Sequence, residues 1–184
     1  MDNILVTSIE QRERVRKAER FCSTAYANWV QFVIKSDLKS DIVSLLAGKD
    51  VLDIGCGSNG GLVKLAEEAK ANSFTGVDID NLSVELSARN YPQHIFLCDD
   101  PIHIIKSAKR KYTVVSSELW DLIKSKEYRY FLAYAIAQHT KKGEFTIHTS
   151  QGFVENIQPI FNELGFNPVK NDAFGKISIM HKQL

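Results

Sequence analysis

The chain has 184 residues, enough for one domain with a substantial core and few for two. Hydrophobic content of 44%, charged content of 24% and a formal net charge of +1 exclude a disordered or strongly polyionic protein. Three scattered cysteines (Cys22, Cys56, Cys98) and five scattered histidines speak against a disulfide framework and offer no metal-ligand spacing.

The opening MDNILVTSIEQRER lacks the apolar core of a signal peptide, and no run of about eighteen apolar residues follows. The expectation is a cytoplasmic protein without a membrane segment, folded as one domain over 1–184, with N-terminal helices over 1–48 and an α/β core over 49–184. Residues 8–36 carry Val15, Phe21, Ala25, Trp29, Phe32 and Val33 at roughly helical spacing. A short helix follows over Leu38–Ala47, with Asp37 as a candidate N-cap and Gly48 as its stop.

From Asp50 the pattern changes. Asp50-Val-Leu-Asp-Ile-Gly reads as a buried strand ending in glycines, followed by a helix over about Gly61–Ala71. Strands are then expected at Phe74–Val77, His94–Leu97, Tyr112–Ser116 and Glu144–His148. Between and after them, helices are expected at Leu82–Arg89, Pro101–Ala108, Tyr128–His139 and Val154–Leu164. Pro168–Lys170 and Ile177–His181 are separated by too few residues for a helical crossover, so they predict an antiparallel hairpin. The alternation predicts a doubly wound, mostly parallel sheet.

The turn after the first strand, Gly55-Cys-Gly-Ser-Asn-Gly-Gly61, lets backbone approach a ligand and offers N–H groups at a helix start. Gly55, Gly57 and Gly60 satisfy the GxGxxG dinucleotide pattern, so two cofactors compete for it. Asp53, two residues earlier, would crowd a pyrophosphate but suits a cationic ligand. The chain is also short for a dinucleotide half plus a substrate domain.

Val51–Asp100 resembles the cofactor-binding half of class I S-adenosylmethionine-dependent methyltransferases. Asp53, Gly55 and Gly57 match the family's first motif, with Asn59 in place of its third glycine. Asparagine tolerates left-handed backbone, and Gly60 and Gly61 follow. Asp78, in Gly76-Val-Asp-Ile-Asp80, matches the acid that binds the ribose hydroxyls, and Asp80 suits a helix cap. Asp99 matches the acid that bonds the adenine amino group, with Asp100 as the alternative one residue on. Cys56 and Ile79 flank the matched positions and join Asp53, Gly55, Gly57, Asn59, Asp78 and Asp99 as the cofactor set. The resemblance implies a seven-stranded sheet with the terminal hairpin, lid-forming N-terminal helices, and S-adenosylmethionine as cofactor.

The acceptor side is open. Ser116-Ser-Glu-Leu-Trp-Asp121 ends the fourth strand, where the family borders the transferred methyl. Neither the motif of DNA adenine methylases nor the Pro-Cys pair of cytosine-C5 enzymes is present there. Glu118 is the candidate catalytic group, weighed against a solvated helix-start acid; Trp120 is a candidate substrate wall, weighed against a core aromatic; and His148 is a candidate base, weighed against a satisfied edge histidine. Tyr26, Trp29 and Phe32 are candidates for an acceptor pocket. A small-molecule O or N acceptor is the leading expectation. RNA is the alternative, favoured by Arg12–Arg20 and by Lys106, Lys109, Arg110 and Lys111. A non-catalytic cofactor-binding subunit is a further alternative, because Thr113 stands where many relatives have Asp; an NAD(P)-dependent oxidoreductase comes last.

Overall fold

The structure is a computed structural model and describes residues 32–33, 35–117, 119–150, 153–173 and 175–183. Among the described residues there are seven strands: β1 Asp50–Ile54, β2 Ser73–Asp78, β3 Ile95–Cys98, β4 Thr113–Ser117, β5 Phe145–Thr149, β6 Phe166–Asn171 and β7 Ile177–Lys182. They form one sheet in the order β3-β2-β1-β4-β5-β7-β6. The β1–β5 pairings are parallel, whereas β7 runs antiparallel to both β5 and β6. The predicted hairpin therefore exists, with β7 inserted between β5 and β6 and alone reversed.

The described helices are α1 Lys39–Leu46, α2 Val63–Glu68, α3 Asn81–Asn90, α4 Pro101–Ser107, α5 Leu119–Leu122, α6 Lys126–His139, α7 Phe153–Asn156 and α8 Gln158–Glu163. None is long and apolar enough to cross a membrane. Residues 32, 33 and 35 are helical as well and Ser36 is a bend, while the rest of the expected 8–36 helix, with Arg12–Arg20, Tyr26 and Trp29, lies outside the described residues.

Period-two alternation divides the core between the two faces. Leu52, Ile54 and Val114 join Trp120, Leu132, Ile136, Phe153 and Phe161 on the α6–α8 side. Val51 and Val115 join Ile42, Leu46, Leu62, Val63 and Leu65 on the α1–α2 side.

Local chemistry moved several boundaries. Asp37 does not cap α1: Ser36 Oγ accepts the Leu38 N–H at 3.0 Å, and the helix begins after Leu38. Gly48 ends it in left-handed backbone (φ +64°), as expected. Asp80 caps α3 by accepting the Ser83 N–H at 3.0 Å. The single helix expected over Val154–Leu164 is two helices meeting at Ile157. Pro159 in the first turn of α8 lacks an N–H and its ring opposes a continuous helix. Strand β6 is longer than predicted and bulges between Pro168 and Lys170; as an edge strand it tolerates a residue that cannot donate to a ladder.

Candidate functional site

The carboxyl ends of β1, β2 and β4 converge on the glycine turn, where an open parallel sheet binds its ligand. Gly55, Gly57, Gly60 and Gly61 all have positive φ (78°, 59°, 71° and 53°). A Cβ on Gly61 would overlap Asp53 Oδ2, whereas one on Gly57 would meet nothing within 4 Å. Gly61 makes room for protein and Gly57 faces open space. Asn59 does not take left-handed backbone: it closes the short 3-10 turn Gly57–Asn59, and the glycines on either side, Gly57 and Gly60, carry the positive φ.

Asp53 is fully buried. Its Oδ2 accepts the Leu62 N–H at 2.7 Å, and Ser117 Oγ donates to Oδ1 at 3.0 Å. Burial raises its pKa to about 7 against the lowering effect of those bonds, with a further push from Asp78. The sequence placed this carboxylate beside a cationic ligand; in the structure it ties the glycine turn to the start of α2 and to the end of β4. Cys56 is also turned inward, beside Gly76, and burial pushes its thiol pKa well up, so only its backbone faces the turn.

Asp78 is half-buried at the end of β2. Its Oδ2 accepts the Gly57 N–H at 2.9 Å and its Oδ1 the Asp80 N–H at 3.0 Å. Ile79, the next residue, is 76% exposed at the same strand end. After β3, Asp99 Oδ2 lies 2.8 Å from His103 Nδ1, and its N–H donates to Asp78 O at 3.1 Å. Asp100 caps α4 through the Ile102 N–H at 2.7 Å and accepts the Tyr128 hydroxyl at 3.0 Å, so it is engaged in holding helices. The fold thus brings Gly57, Asp78, Ile79 and Asp99 to one rim.

Ser87 escaped the sequence reading. Its Oγ accepts the Gly60 N–H at 2.9 Å and donates to Gly57 O at 2.7 Å, clamping the turn from α3. A serine inside a helix 27 to 30 residues away carries no local signal of that role.

The acceptor-side candidates separate. His148 is not a cleft base: it is fully buried, stacked on Phe153 at 4.6 Å, and burial lowers its pKa to about 3. Its Nδ1 lies 2.8 Å from Ser116 Oγ and its Nε2 2.9 Å from Thr146 Oγ1. Trp120 is no substrate wall either, being 1% exposed and donating to Ser116 Oγ at 2.8 Å. Both side chains fall on the α6–α8 face, where Phe153 and Phe161 pack against them. Phe32 is half-buried beneath the Lys176 ammonium at 5.1 Å. Glu118 lies outside the described residues.

The rim fits S-adenosylmethionine. Open space at Gly57, a rim carboxylate at Asp78 and an exposed apolar side chain at Ile79 suit, in turn, a close backbone approach, ribose hydroxyls and a flat base.

Solved structures share this architecture. The N-methyltransferase NodS from Bradyrhizobium japonicum superposes with a TM-score of 0.63 at 14% identity, covering 79% of this chain and 94% of its own. The same protein in complex with S-adenosyl-L-homocysteine gives 0.61 at 13% identity over 77% and 82%. DesVI from Streptomyces venezuelae gives 0.65 at 12% identity, over 88% and 98%. At such identities the likeness is one of fold. A comparison with curated protein sequences finds no match. The family model for the mRNA (guanine-N(7))-methyltransferase domain matches residues 3–115, more than half of the chain. The chain belongs to that family, and is a class I enzyme that uses S-adenosylmethionine to methylate an acceptor.

Proposed function

We propose that this enzyme methylates N7 of a guanine at the capped end of an mRNA. The match of residues 3–115 to the mRNA (guanine-N(7))-methyltransferase domain carries this reading. S-adenosylmethionine, when bound, supplies a methyl group already activated on a sulfonium. Guanine N7 offers an in-plane lone pair and no proton, so the acceptor has to be held in line and shielded from water; no base is required. The buried, low-pKa His148 is compatible with such chemistry.

Each site residue has a part in this reading. Asp78 has acceptor capacity left on both oxygens for the ribose hydroxyls. Ile79 and Asp99 hold the adenine by its face and its amino edge, and Gly57 admits the methionine portion to the backbone, whereas Gly55 makes room for Leu119 and the Ser117 carbonyl at the base of the turn. Asp53, with Ser117 and Leu62, keeps the turn in shape. Asn59 and Cys56 contribute through the backbone of the turn. Glu118, directly after β4, orients the acceptor.

Purified protein with methyl-labelled cofactor, offered capped unmethylated RNA, the free cap dinucleotide GpppG and a pool of small amines and alcohols, tests the assignment. Labelled 7-methylguanine released from the RNA product is the expected result. Label confined to the small-molecule pool would overturn it in favour of the small-molecule acceptor first expected from the sequence.

A further inference from the structure

We propose that the outward face of α6, with the cationic cluster at its carboxyl end, is a track for single-stranded RNA. The proposal rests on the guanine-N7 reading and extends it from the methylated nucleotide to the chain behind it.

Helix α6 buries Leu132, Ala133, Ala135, Ile136, Ala137 and His139. On its other side Tyr130, Phe131 and Tyr134 are 43%, 61% and 44% exposed, with Tyr134 four residues after Tyr130 and three after Phe131, the spacings at which helix side chains are neighbours. Leu122, in the short helix before α6, is 78% exposed. Three large aromatics on the solvent side of a helix that already has a full buried face are not needed for packing. They are, however, what unpaired bases stack on.

A second observation lies at the far end. Lys111 Nζ donates to Gln138 O at 3.4 Å, and Lys182 Nζ donates to Ala137 O and, at 2.9 Å, to Thr140 O. Both cations therefore gather at the last carbonyls of α6. Burial, then Lys111 and Lys142, lower the Lys182 pKa, which marks like charges crowded together. Lys109, Lys141 and Lys142 add exposed ammonium groups, and Arg110 lies over the Tyr112 ring at 4.8 Å. Against these stand Asp50, paired with Arg110 at 3.3 Å, and Glu144. The surplus of positive charge complements phosphate.

The helix joins the two observations. It begins after the carboxyl end of β4, on the crevice side, and ends beside the amino ends of β4 and β5. Its 14 residues span about 21 Å. An RNA whose first guanine sits in the crevice would lay bases along the aromatic stripe and bring phosphates to the lysines.

The test uses the full chain with fluorescein-labelled capped RNA of roughly ten nucleotides and with GpppG. The variants are Tyr130→Ala/Phe131→Ala/Tyr134→Ala and Lys109→Ala/Lys141→Ala/Lys142→Ala; Lys111 and Lys182 are left in place because they bond the helix end. Each variant should raise KM for capped RNA about tenfold relative to that for GpppG. The lysine variant should also flatten the salt dependence of RNA affinity by about 0.7 in log–log slope for each phosphate it no longer neutralises. Unchanged KM ratios and unchanged anisotropy-measured affinity would overturn the track. If wild type methylates neither RNA nor GpppG, the guanine reading fails, and the anisotropy arm still decides the track. A wild-type dimer made monomeric by the aromatic variant, with RNA affinity intact, would make the face a contact between two copies and reject the track.

Discussion

Ser116 and Ser117 are neighbours in the chain and serve opposite faces of the sheet. Ser116 bonds His148 and Trp120 in the apolar layer under α6–α8, while Ser117 bonds Asp53 beneath the glycine turn. Strand parity alone separates them. It also places two titratable groups, Asp53 and His148, in full burial on opposite faces with pKa values displaced in opposite directions, to about 7 and about 3. Asp53 holds its proton more tightly folded than unfolded, so its contribution to stability falls as pH rises from about 4 to about 7. His148 binds a proton more readily when unfolded, so its contribution falls as pH drops from about 6.5 towards 3. Between about 4 and 6.5 the two oppose each other. Asp53→Asn should therefore make acid destabilisation steeper than in wild type, by up to about 1.4 kcal/mol per pH unit, in urea titrations across that range. His148→Gln should reverse the slope. Parallel curves for the variants and wild type would show that neither group titrates as its burial demands.

Asp78 is the residue-scale test of the cofactor rim. Replacing it with Ala removes the acceptor of the Gly57 N–H and, on the proposed role, that of the ribose hydroxyls. The affinity for S-adenosylhomocysteine should fall by about 1–3 kcal/mol in calorimetry. Unaltered affinity would remove Asp78 from the rim.

At the scale of elements, the turn between β1 and α2 divides its glycines between two duties. Gly61 adopts φ +53° with the Asp53 carboxylate where a side chain would go; Gly57 adopts φ +59° over open space. Gly61→Ala should cost folding stability by upwards of about 1–3 kcal/mol, through backbone strain and displacement of the buried carboxylate. Gly57→Ala should cost roughly 1–2 kcal/mol of backbone strain and lose most of the cofactor affinity. Thermal denaturation with and without ligand separates the two, and equal ligand affinity in both variants would contradict the division. Among helices, caps and breaks followed short-range rules where side chain and backbone are neighbours, as at Asp80 and Gly48. The break at Pro159 was equally local, and its signal was simply outweighed by the apolar spacing of Val154–Leu164. Helix α5 is a single turn, too short for periodicity to announce.

For the whole molecule, the rim draws on β1, β2, β3 and their following turns, so ligand binding should stabilise the entire sheet. S-adenosylhomocysteine at a hundred times its Kd should raise unfolding free energy by about 2.7 kcal/mol, seen as a higher Tm. No shift at saturating ligand would mean that the rim is not formed in the folded state.

The sequence by itself determined the strand–turn–helix alternation, the terminal hairpin, the glycine turn and the order of acids after β1, β2 and β3. These are periodic or short-range features, and a window of residues contains them. Only the tertiary structure decided that Asp53 is sealed inside, that His148 and Trp120 belong to the core, that Ser87 clamps the turn and that β7 lies between β5 and β6. Those outcomes depend on which distant segments become neighbours, because burial and hydrogen-bond partners are set by packing across the sheet.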